Sequence, residues 1–136
     1  MKKNHKKIKI HPKWIDYYEE DYKIVIKLFE EKTSFHRTIC FHAQQFFEKL
    51  LKGILEAHDV IPPKTHDIEY LVNRVKELGY KLPVSDEDIM YISSIYFDTR
   101  YPPDLGLLPK GEPSKEDVER AYKISKAIHQ WITHGK

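Results

Sequence analysis

The stretch Cys40 to Lys52, CFHAQQFFEKLLK, lies inside a helical run expected from about Phe35 to His58, and it constrains what the rest of the chain must do. At 100° per residue, Ile39, Ala43, Phe46, Leu50, Ile54 and Ala57 fall on one side, and Cys40, Phe47 and Leu51 widen that side by another row. An apolar face that wide has to be covered by more than one neighbour, so this is the expected central helix of a helical assembly. The remaining arc carries His42, Gln45, Lys49, Lys52 and Glu56 in one line, with Gln44 and Glu48 beside it. Glu48 four residues before Lys52 is the stabilising order of charges on a solvated helix, which makes an exposed face the plain expectation. Two features mark the ridge as a contact surface instead. Paired glutamines are unusual on a solvated face in a chain this rich in Lys and Glu, and Phe41 stands on the polar arc.

The same periodicity places four more helices around it. The first begins near Pro12, whose fixed φ suits the first helical position, and runs to about Lys32 with Trp14, Ile15, Tyr18, Tyr22, Val25, Ile26 and Phe29 inward. Asp21 falls at the edge of that apolar face, where a carboxylate needs a cationic or hydrogen-bonding partner, and a buried ion pair is the expectation. The central helix frays around Asp59, because Val60-Ile61-Pro62-Pro63 disfavours further helix. A third helix, capped by Thr65 or Asp67, turns Ile68, Leu71, Val72, Val75 and Leu78 inward and stops at Gly79. His66 and Asp67 at its start either cap it or line a polar pocket against the central helix, and capping is the simpler expectation. Ser85 with Asp88 opens a fourth helix carrying Ile89, Ile92, Ile95 and Tyr96, which ends before Pro102 and leaves Arg100 and Tyr101 at its last turn. Residues 103 to 113 read as loop. Ser114 caps a last helix with Val118, Ala121, Ser125, Ile128 and Ile132 inward and Trp131 beside them, ending near Gly135. Five helical segments with short links and no strand pattern define an all-α bundle.

At 136 residues the chain is one domain, able to bury a core without metal or disulfide. Residues 1–10 are expected to form a flexible basic arm and residues 11–136 the single bundle domain. The single cysteine cannot make an internal bridge and fits a small core position. No apolar run approaches membrane-spanning length and no signal-peptide pattern follows the charged start, so the expected location is the cytoplasm, with no membrane contact. A formal net charge of only +2 lacks the basic bias of a dedicated duplex-DNA binder. There is no phosphate-cradling glycine loop, no Cys-x-x-Cys pair and no His-Glu-x-x-His helix, so no cofactor or metal is expected, although His42 and His66 could meet in space.

Taken in order, CFHAQQFFEKLLKGIL, THDIEYL and YFDTRYP resemble the HEPN domain family, whose name records higher eukaryotes, prokaryotes and nucleotide binding. The resemblance covers nearly the whole chain. It implies an up-and-down bundle of four main helices with an additional short or C-terminal helix, frequent homodimers, and association with a minimal nucleotidyltransferase. Many members are ribonucleases marked by an Arg followed, after four to six residues, by a His that meets its copy across the dimer. Arg100 occupies the matching place, but YPPDLGLLPK contains no histidine, and the related toxin pattern ending in tyrosine is absent too. Arg37 and His42 satisfy the spacing literally, at a place the family does not use.

The resemblance, together with these residues, implies a dimerising, non-catalytic or weakly catalytic module that binds nucleotide or RNA phosphate, or a nucleotidyltransferase partner, with no catalytic residue assigned. Gln45, Lys49, Lys52, Arg100 and Tyr101 are the expected phosphate-binding groups: Arg offers bidentate contact, Lys a point charge and Tyr101 a stacking surface. Asp21, His42, His66 and Asp67 are candidates for an adjoining pocket. Two alternatives stand beside this: a toxin-like, metal-independent ribonuclease pairing Arg100 with a displaced histidine such as His42 or His66, and a purely structural dimer.

Overall fold

The computed structural model describes the backbone of residues 7–100 and 113–134 and the side chains of residues 7–95 and 113–134. Tyr101, the side chains of Tyr96 and Arg100, residues 103–112 of the expected loop and the helix end near Gly135 lie outside the described residues.

Among the described residues, five helices follow the chain: α1 (Pro12–Glu30), α2 (His36–Ala57), α3 (Ile68–Glu77), α4 (Asp86–Arg100) and α5 (Lys115–His134). No strand occurs among the described residues. Most of these boundaries have a local cause. His11 Nδ1 accepts from the Lys13 amide ahead of Pro12, and α1 closes where Lys32 takes a left-handed φ of 56° and Thr33 returns its amide to the Leu28 carbonyl at 3.1 Å. Asp59, with φ of 62°, ends α2 in the same manner, and Gly79, with φ of 98°, follows α3. Asp67 caps α3 by accepting from the Tyr70 amide; Ser85 caps α4 by accepting from Asp88; Ser114 and Asp117 exchange bonds at the start of α5.

α2 touches all four other helices, as its wide apolar face requires. Ile39, Cys40, Ala43, Phe46, Phe47, Leu50, Leu51 and Ile54 are fully buried, and Leu55 joins them, while Ala57 is only half-buried. Each buried Leu, Ile or Phe stabilises the fold by about 1.5–3 kcal/mol relative to exposure. Contacts set the directions. Trp14 meets Glu56 and Tyr22 meets Phe46, so α1 and α2 are antiparallel; Tyr22 meets His129 and Phe29 meets Tyr122, so α1 and α5 are antiparallel. Asp88 meets Arg120 and Tyr91 meets Asp117, which makes α4 antiparallel to α5. The result is an up-and-down bundle of α1, α2, α4 and α5, with short α3 as the additional helix.

Two expectations are corrected. The expected flexible arm includes residues 7–10, yet Ile8 is buried in the core, Ile10 packs beside Gly53, and the Tyr80 hydroxyl accepts from the Lys9 amide while donating to the Lys7 carbonyl. Its polar composition concealed two isoleucines at alternating positions, enough to hold an extended segment against the bundle. Ile26, expected inward, instead lines a surface cleft with Lys23 and Glu30, because neighbouring Val25 takes the core position.

Candidate functional site

The polar arc of α2 is a seam built around two buried carboxylates. Asp21, on α1, lies opposite this arc because the two helices run antiparallel, and only 7 % of its side chain is exposed. Its Oδ1 lies 2.7 Å from His42 Nδ1 and its Oδ2 accepts from Lys49 Nζ at 2.8 Å. A carboxylate only accepts, so the proton between Asp21 and His42 sits on Nδ1 and fixes the imidazole tautomer. No described residue bonds to His42 Nε2. Phe41 lies edge-on to the ring, with centroids 5.3 Å apart.

Glu48 is the second centre, 6 % exposed. Lys52 Nζ donates to its Oε2 at 2.9 Å, Gln44 Nε2 donates to Oε1 at 3.2 Å, and His66 Nδ1 faces both oxygens at 2.9 and 3.1 Å. Gln45 donates to the Gln44 side-chain oxygen at 2.8 Å. The expectation of an ordinary solvated Glu48–Lys52 pair is therefore corrected: Lys52 is itself only 11 % exposed, Gln44 is fully buried, and His66 lies across the carboxylate. One signal for this was present in the chain. Leu55, seven residues after Glu48 and so on nearly the same side of α2, extends the apolar arc to the place where Gln44 and Glu48 sit.

The geometry brings Asp21, His42, Gln45, Lys49, Lys52 and His66 into one seam, with Gln44 and Glu48 as members that the choice of site residues passed over. Asp67 stands apart as the exposed cap of α3. His42 and His66 make no bond to each other; each takes its own carboxylate. Among the described residues, no three His, Cys, Asp or Glu side chains are grouped to hold a metal ion. Cys40 is fully buried, and burial, with a smaller contribution from the Asp117 charge, pushes its thiol up to about 12, which removes it as a nucleophile at neutral pH.

Chemically, the seam offers ammonium donors held in place by buried carboxylates, a fixed imidazole edge and a glutamine amide, on the outer side of the longest helix. The class this defines is an all-α, up-and-down bundle with one short inserted helix and a charged seam on its central element. The HEPN domain model matches residues 12–135, nearly the whole chain, and the chain belongs to the HEPN family. No curated protein and no solved structure matches it significantly. Membership makes it, in general terms, a nucleotide- or RNA-related module. No helix among the described residues is long and apolar enough to cross a membrane.

Proposed function

We propose that the protein is a cytoplasmic HEPN module that homodimerises and holds nucleotide or RNA phosphate along the α2 seam, without the ribonuclease chemistry of motif-bearing relatives. A minimal nucleotidyltransferase is the protein partner this reading implies. The observation that carries it is the pairing of Lys49 with buried Asp21 and of Lys52 with buried Glu48. Each ammonium has three donors and spends one on a carboxylate, so its remaining N–H groups are held for an anion at little further cost in side-chain freedom. Arg100, the last residue of α4, belongs to the same proposal, and Tyr101 joins it from the sequence alone.

Ribonuclease action needs a group to take the proton from the ribose 2′-hydroxyl and a cation for the charge developing on phosphate; Arg100 supplies only the second. One observation favours the alternative. His42, fixed by Asp21 with Nε2 unbonded by any described residue, is the form an imidazole takes when it acts as general base. The test is to incubate purified protein with single-stranded RNA beside a motif-bearing relative, and to follow binding and light scattering in parallel. Intact RNA, a dimer mass, and salt-sensitive binding that weakens with Arg100→Ala and Lys49→Ala are expected. Cleavage abolished by His42→Ala moves the ribonuclease to first place, and a monomer mass across micromolar concentrations removes the dimer.

A further inference from the structure

Tyr17 is the most exposed aromatic side chain among the described residues, 62 % open to solvent. None of those residues hydrogen-bonds to its hydroxyl or stacks on its ring. Its place follows from the packing of α1 on α2. Trp14 lies against Gly53 and Asp21 against Lys49, so Tyr17, between them on α1, is level with the part of α2 that runs from Lys49 to Gly53.

Tyr17 also stands one helical turn before Asp21, about 6 Å along the axis, and so on nearly the same side of α1. Tyr18 and Val25, which are buried, lie to one side of Asp21, and Tyr17 lies to the other. The ring therefore flanks the seam where it opens to solvent. The acidic neighbours Asp16 and Glu20 fall further round α1, beyond Tyr17 and away from Asp21.

A single aromatic ring in water is ordinary. Beside Lys49 and Lys52, each anchored on a buried carboxylate, it supplies a second kind of contact. Proteins that hold single-stranded nucleic acid combine positive charge for the backbone with an aromatic face for the base. In a nucleotide the base and the phosphate are joined through one ribose, a reach that matches the one-turn offset between Tyr17 and the Asp21–Lys49 pair.

We infer that Tyr17 is the base platform of the seam: with a phosphate on Lys49 and Lys52, the attached base stacks on the Tyr17 ring. This rests on the phosphate-binding reading above and adds what the seam recognises besides charge. Every base has a π face, so the ring favours nucleoside phosphates over bare phosphates without selecting among bases. The unit is supplied either by a free nucleotide or by single-stranded RNA.

The experiment is calorimetric titration of the full chain with two matched pairs of probes. Adenosine monophosphate is compared with ribose 5-phosphate, and hexaadenylate lacking a terminal phosphate with an abasic hexamer of the same backbone. Whichever base-bearing probe binds identifies the source, and it should bind about tenfold more tightly than its base-free counterpart. Tyr17→Ala should erase that ratio while leaving the base-free probe unchanged, and Tyr17→Phe should keep it. Tyr70→Ala is the control, because Tyr70 is exposed on α3 with Arg74 on its hydroxyl. Adenine protons should shift upfield in the complex with the unsubstituted chain and with Tyr17→Phe, and not with Tyr17→Ala. Equal affinity for base-bearing and base-free probes, or a ratio that survives Tyr17→Ala, overturns this inference and leaves the phosphate reading standing. Absence of binding by every probe overturns both.

Discussion

Asp21 Oδ1 lies 2.7 Å from His42 Nδ1, joining the first two helices across 21 residues of chain at a point where the carboxylate is almost wholly buried. That contact, with Lys49 on the other oxygen, makes Asp21 the one carboxylate of α1 buried in the bundle.

Replacing Asp21 with Ala leaves Lys49 and His42 facing each other without their common acceptor. The expected loss is about 3 kcal/mol, typical of breaking a buried pair from one side, or roughly 10 °C in melting temperature for a domain of this size. Asp16→Ala, on the exposed side of the same helix, should stay within about 0.5 kcal/mol. Scanning calorimetry of the two variants decides it, and equal shifts would remove the special standing of Asp21.

Gly53 lies where the chain entering α1 crosses α2. A Cβ added there would stand 3.0 Å from both Ile10 Cγ2 and Trp14 Cβ, and the Gly53 carbonyl accepts the His11 amide at 3.0 Å. Alanine in a helix interior is otherwise favoured over glycine by about 1 kcal/mol. Here the close approach should reverse the sign and leave a net loss of about 1–2 kcal/mol, read as a lower urea midpoint. A raised midpoint would show that Ile10 and Trp14 can shift aside.

Burial pushes the Cys40 thiol up to about 12 and, with a smaller contribution from Glu19, the Tyr18 hydroxyl up to about 12; burial raises Tyr91 as well. Groups whose folded values lie above their unfolded ones contribute stability that is complete below the unfolded value and lost as pH rises towards the folded one. Unfolded Cys titrates near pH ~8.5 and Tyr near ~10. Stability should therefore hold to about pH 8.5 and decline between there and pH 12. Denaturant midpoints across that range test this, and Cys40 should resist a thiol reagent at pH 8 until the protein is unfolded. Fast labelling of the native protein would contradict the burial.

Ser125 faces the core from α5, and among the described residues its hydroxyl is the buried side-chain group without a hydrogen-bond partner. Ser125→Ala removes that unsatisfied group at almost no change in shape, so it should raise stability by up to about 1 kcal/mol. A fall in melting temperature would mean that the hydroxyl has a partner after all.

Much of the candidate site was legible in the chain. The wheel put Gln45, Lys49 and Lys52 on one line and picked out Asp21 as a carboxylate in need of a partner. It did not name the partner, since His42 and Lys49 reach Asp21 only once two antiparallel helices are laid side by side. It also left Glu48 open between a solvated pair with Lys52 and a contact surface. The helical wheel reports direction from one axis, whereas exposure depends on what else approaches that side, and here His66 lies across the carboxylate.

By itself, the sequence determined the five helical segments, the caps at Ser85 and Ser114, a third cap at Thr65 or Asp67, and the central place of α2, because apolar periodicity and capping act within a few residues of chain. Its motifs also carried the family relationship. Only the tertiary structure decided that residues 7–10 pack on the bundle, that His42 and His66 each serve a separate carboxylate, and that Gln44 and Glu48 are interior. Those outcomes depend on which distant surfaces meet, and a buried charge takes whichever partner the packing of apolar faces brings within hydrogen-bonding distance.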